Sequence, residues 1–226
     1  MVSAVLHATV NTLIKVSDDA LITRGCMNAV AFIVAIPIMT MMPLPDPDLW
    51  PLLVVSTLIH ALYPFFLAEA YRSGDLSATF PLARGSAPLF VALYASFALG
   101  QRPSPFSSLG IVLVSMAISS IAFTWSTNGK IPKRSVGAAL ITGLIIAAYT
   151  AVDAIGLRLA PTPFTYIVWL FILDGSFVML MVVLARRRTI LPFINHHWRP
   201  ALIAGLLGVM TYGLALIALS MGPSLR

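Results

Sequence analysis

The stretch PFTYIVWLFILDGSFVMLMVVLA, Pro163 to Ala185, holds a single charged residue, Asp174, among its 23 positions. Crossing the hydrocarbon core of a bilayer takes about 20 predominantly apolar residues, and every backbone polar group must be bonded within the segment. This stretch therefore reads as a membrane-spanning helix. Working outward, the same pattern recurs along the chain. Apolar runs bounded by charges, proline and glycine fall at about 2–17, 21–43, 49–71, 77–99, 106–125, 135–157, 163–185 and 200–221, eight expected spans in all. The separators are short and rich in turn residues, as where Pro43, Pro45 and Pro47 interleave with Asp46 and Asp48.

Composition agrees with the local pattern. The 226 residues are 59% hydrophobic and 10% charged, with a mean hydropathy of +0.94, whereas soluble domains carry roughly 25% charged residues. An ordinary soluble domain is excluded, and the loops leave no room for a soluble catalytic one. The expected fold class is all-α, a polytopic transmembrane bundle of about eight helices. The net charge of +6 raises nucleic acid as a partner, but the basic residues stand mostly singly between apolar runs, where membrane loops keep them. No nucleic-acid partner is expected. Cys26 is the only cysteine, which excludes an internal disulfide. Walker, dinucleotide, nucleophile-elbow and paired-histidine zinc motifs are absent, so no cofactor, metal or enzymatic activity is expected.

Counted by loop parity, Lys15, Arg24, Arg72, Lys130, Lys133, Arg134, Arg186, Arg187, Arg188 and Arg199 lie by odd-numbered loops, and only Arg102 and Arg158 by even ones. The positive-inside rule then places the odd loops in the cytoplasm and the amino terminus outside.

An internal repeat is also legible. Trp50 and Gly74 are 24 residues apart, as are Trp198 and Gly222, with Tyr63 and Tyr212 between them at nearly equal spacing. His7 and Asn11 match Tyr149 and Asp153 at a common spacing of four. The paired spans are five apart, so the copies cross the membrane in opposite directions, an inverted repeat. The expected division is 1–127 for a first five-helix repeat and 128–226 for a second with three helices. A complete second copy would end near residue 275, so the expectation is a ten-span protein of which this chain holds eight.

Ionisable residues at membrane depth are functional candidates by default. In FPLARGSAP, Phe80 to Pro88, two prolines and Gly85 flank Arg84. An interrupted helix is expected there, aiming Arg84 into a cavity. Arg84 requires a carboxylate partner (Asp153, Glu69 or Asp174), water or an anionic solute group. Asp153 follows Tyr149 by one helical turn, a candidate for ion pairing or proton coupling. His7, Asn11 and Lys15 form a polar stripe, His60 stands near mid-span with Tyr63 a turn later, and Trp169 lies inside its span as packing or as cavity wall. Gly110, Gly205 and Gly208 are expected at close helix contacts.

Three runs, LHATVNTLIK (6–15), TFPLARGSAPL (79–89) and AAYTAVD (147–153), resemble the EamA branch of the drug/metabolite transporter superfamily. GQRPS (100–104) resembles that family's turn before the fifth helix, with Gln101 in place of the usual glutamate. The resemblance implies two inverted five-helix repeats around a cavity that moves small solutes by alternating access. Carried over, the solute-binding residues would be His7, Asn11, Tyr63, Arg84, Tyr149, Asp153 and Trp169, with His60 added from its depth. It further implies a small-molecule substrate, the lipid bilayer and protons as candidate coupling ion, in a bacterial inner membrane. The family's cytoplasmic amino terminus departs from the charge count. Two alternatives stand beside a carrier: an inactive fragment, and a membrane enzyme acting on lipid head groups.

Overall fold

In the computed structural model, residues 9–10, 13–14, 17–73, 76–98, 100, 104–124 and 132–220 are described. Seven helices run through them: α1 (Ala20–Met39), α2 (Leu49–Ser73), α3 (Leu76–Ala98), α4 (Pro105–Thr124), α5 (Lys133–Leu159), α6 (Pro163–Arg186) and α7 (Ile190–Ser220). No strand occurs among the described residues. Five helices are long and apolar enough to cross a membrane: Leu21–Met39, Leu49–Ala70, Lys133–Leu159, Pro163–Arg186 and Ile190–Ser220. The chain is an integral membrane protein, all-helical among the described residues. Its first expected span lies largely outside the described residues.

Local chemistry explains where the helices start. The Asp19 side chain accepts from the backbone N–H groups of Leu21 and Ile22 and so caps α1. Thr162 caps α6 by accepting from the Thr165 N–H, with Pro163 at the first position, where its missing donor is harmless.

Two expectations are corrected. The helix over Phe80 to Pro88 is not interrupted; α3 runs unbroken through Pro81 and Pro88. Within this stretch the Ser86 hydroxyl donates back to the Ala83 carbonyl at 3.1 Å. The last helix starts at Ile190, ten residues ahead of the expected 200, so His196, His197 and Trp198 lie on a helix and not in a loop. Pro200 lies inside this helix, and in the added turns Phe193 is buried with Ile22, Val178 and Val182.

The contacts divide the chain into two units, Met1–Ala61 with Val152–Arg226, and Leu62–Ala151. In the first, α1 packs on α6 and α7. Small residues set the approach: Gly25 faces Val182, Gly175 faces Phe32 and the Asn28 carbonyl, and Gly205 faces Val30. A core of Leu49, Leu53, Leu157, Tyr166, Ile167, Leu170 and Leu216 fills the region around the carboxyl-terminal turns of α5. At one end of this unit Arg186 donates to Asp19 at 2.8 Å. At the other, Trp169 Nε1 donates to the Pro43 carbonyl at 3.2 Å and its ring meets Trp50 edge to face at 5.5 Å. In the second unit, α3 packs on α4, and Ala70, Ala78, Leu82, Ala83, Ala138 and Ala139 form a core of small side chains. Gly143 of α5 sits directly against Ser86 and the Ala83 carbonyl, a place no side chain could share. Gly110, expected at a close contact, has open space where a Cβ would stand.

Candidate functional site

The first unit encloses a polar cluster inside its apolar core. Ser56 and His60 are one turn apart on α2, Asp153 lies near the end of α5, Tyr166 at the end of the first turn of α6, and Tyr212 on α7. Ser56, Asp153 and Tyr166 are almost completely buried and His60 is 8% exposed, whereas Tyr212 is half-buried.

Asp153 is the centre. Its Oδ1 accepts from the Ser56 hydroxyl at 2.5 Å and from the Tyr166 hydroxyl at 2.9 Å. Its Oδ2 accepts from the Tyr212 hydroxyl at 2.6 Å. The Tyr212 oxygen also lies 2.8 Å from His60 Nε2, and that nitrogen is 4.0 Å from Asp153 Oδ2. On the other side of the ring, His60 Nδ1 is 2.9 Å from the Ser56 carbonyl and 3.1 Å from the Ser56 hydroxyl. A carbonyl can only accept, so Nδ1 carries a hydrogen. The His60 and Tyr212 rings meet edge to face at 5.5 Å, and Gly156 leaves room for the Tyr166 ring, which a Cβ at 156 would overlap. A buried carboxylate without such donors would be strongly destabilised; three hydroxyls and one imidazole make this one tolerable.

A second carboxylate lies deeper along α6. Asp174 Oδ2 accepts from the Asn28 side-chain N–H at 3.1 Å, and its buried Oδ1 has no hydrogen-bond partner among the described residues.

The other expected site residues lie elsewhere. Tyr63, which is buried, and Tyr149 belong to the second unit. So does Arg84, whose guanidinium lies 5.6 Å over the Phe80 ring. The acids considered as its partners have these contacts: Glu69 pairs with Arg134 at 2.6 Å, Asp174 with Asn28, and Asp153 with the three hydroxyls. Trp169 packs against the apolar core beside the cluster and ties down the Pro43 backbone. His7 and Asn11 lie outside the described residues.

Sequence reasoning singled out Asp153 and His60 but missed Ser56 and Tyr166, and weighed Tyr212 only as a repeat partner. Ser56 was within reach, because serine and histidine four apart share a helix face. Tyr166 and Tyr212 carried no local signal, since each is one aromatic in an apolar run. Comparison of the chain with protein-family models, with curated proteins and with solved structures returned no match.

Proposed function

We propose that the protein is a membrane carrier that moves a small polar or amphipathic metabolite by alternating access, in a bacterial inner membrane. The observation that supports this most is the buried cluster on Asp153. An acid and a histidine held at membrane depth by hydroxyls from separate helices is the kind of arrangement found on ion and solute pathways. Two features add to it. Five helices among the described residues are long and apolar enough to cross a membrane, and the resemblance of the 6–15, 79–89 and 147–153 runs to EamA-type transporters points the same way. Arg84 would hold an anionic group of the solute, because guanidinium keeps its charge at any depth.

The test is solute flux in vesicles holding the purified chain, screened with labelled amino acids, mono- and dicarboxylates and organic cations. Flux above that of protein-free vesicles for at least one compound is the expected result, and none for any would overturn the proposal. Arg84→Ala is expected to reduce anion flux at least about tenfold, the loss of roughly one good charged contact. Equal flux by variant and parent would remove Arg84 from the mechanism.

A further inference from the structure

We infer that the end of the first unit where α6 hands over to α7 is a docking surface for anionic phospholipid, with Arg187, Arg188 and Arg199 holding the phosphate of the head group. The surface stands whether or not the chain moves a solute. Residues 175–226 hold five arginines and no acidic residue, so any carboxylate serving these arginines comes from earlier in the chain. At this end the neighbours Asp18 and Asp19 are already engaged. Asp19 accepts from Arg186 at 2.8 Å, and Asp18 Oδ2 lies 3.2 Å from His197 Nε2. Arg187, Arg188 and Arg199 are exposed, and none of the three pairs with an acid among the described residues. The two contacts also fix the geometry. Because Asp18 and Asp19 are adjacent, Arg186 and His197 are held close together, and the residues beside them, Arg187 and Arg188 on the turn and Trp198 and Arg199 on α7, lie at the same end of the unit.

The depth of this end identifies the partner. α7 has 31 residues, about 46 Å of helix, against a hydrocarbon core of about 30 Å. About ten residues are therefore left over. The run Asn195 to Arg199 precedes the apolar stretch that begins at Ala201, which puts the surplus at the start of α7, in the head-group layer. Trp198 is exposed there, with the Arg199 guanidinium 5.2 Å from its ring centroid, and Leu191 is exposed as well. An apolar ring beside a cation suits a lipid interface, where the ring meets acyl chains and the guanidinium meets phosphate. A soluble anion would leave Leu191 in water. Guanidinium matches phosphate oxygens with a planar fork of donors, and basic residues beside a span attract the anionic lipids of the adjoining leaflet.

The test counts lipid on the protein. The whole chain in neutral detergent is offered equal amounts of phosphatidylglycerol and phosphatidylcholine and weighed by native mass spectrometry. The parent is expected to retain phosphatidylglycerol at least about tenfold over phosphatidylcholine, with about fivefold lost for each arginine removed. Equal retention of the two lipids by the parent overturns the docking surface. Combined Arg187→Gln, Arg188→Gln and Arg199→Gln is expected to abolish the preference, and a preference left unchanged overturns the assignment of these residues. Where the triple variant does not accumulate, Arg199→Gln alone gives the single step, and no loss in it overturns the role of Arg199. Arg158, exposed in the last turn of α5 beside the start of α6, lies at the other end of the unit. Arg158→Gln is expected to keep the preference, and a loss there equal to that of Arg199→Gln overturns the location. Excess inorganic phosphate separates the two sources of the same chemistry. It is expected to leave the lipid bound; displacement by it would assign the arginines to a soluble anion and overturn the lipid partner.

Discussion

Asp153 takes its environment from three other helices, and single atoms there have measurable consequences. Ser56→Ala deletes the shortest donor to Oδ1. Leaving part of a buried carboxylate unsatisfied costs about 1–3 kcal/mol, and the expected drop in thermal midpoint is readable in detergent micelles. Gly156→Ala attacks the same site by shape, since its methyl would overlap the Tyr166 ring that donates to Oδ1. Overpacking of this kind costs about 1–3 kcal/mol, and Gly156→Ala combined with Tyr166→Ala is expected to recover part of the loss in the same melting assay. At this scale the sequence announced Asp153 and His60 through the rarity of ionisable groups in spans. It did not connect Ser56, Tyr166 or Tyr212 to Asp153, which stands 97 residues from Ser56 and 59 from Tyr212, since nothing in either local pattern refers to the other.

Between helices, glycines decide how close backbones come. A Cβ at Gly175 would meet the Phe32 side chain and the Asn28 carbonyl at under 3 Å. Gly175→Ala is therefore expected to destabilise the α1–α6 contact by roughly 1–3 kcal/mol and, by pushing Asn28 away, to loosen its bond to Asp174. Gly110 meets nothing, so Gly110→Ala is expected to be neutral or to stabilise α4 by up to about 1 kcal/mol. Parallel melting curves of the two variants check the contrast; equal destabilisation would contradict it. Both glycines look alike in sequence, each in an apolar run. Helix boundaries show a related limit. Asp19 and Thr162 mark starts that the chain spells out locally, whereas α3 runs unbroken through Pro81 and Pro88, and α7 through Pro200, against what the local proline signal alone would give.

For the molecule as a whole, the unequal distribution of basic residues predicts the orientation. Odd loops in the cytoplasm put Met41, 81% exposed after α1, on the outside and Arg187, exposed after α6, on the inside. With Cys26→Ala as background, an impermeant maleimide added to intact cells is expected to label Met41→Cys and to spare Arg187→Cys until the membrane is opened; the opposite pattern reverses the orientation. The surface ion pair of Glu69 and Arg134 has its arginine 73% exposed, and exposed pairs contribute about 0–1 kcal/mol. Membrane topology and helix packing, more than such pairs, hold this protein together.

What the sequence determined by itself is the solvent and the secondary structure. An excess of apolar residues in runs of about 20 leaves the bilayer as the only medium, and in a bilayer the backbone must close its own hydrogen bonds, so helices follow without knowledge of any partner. What only the tertiary structure decided is the company each polar residue keeps. Whether a buried acid is satisfied depends on atoms within 3 Å of it. In this chain those atoms come from α2, α6 and α7, converging on the end of α5. Hydropathy is a property of a segment and survives in its composition; a hydrogen bond depends on the position of two segments at once and appears only when they meet.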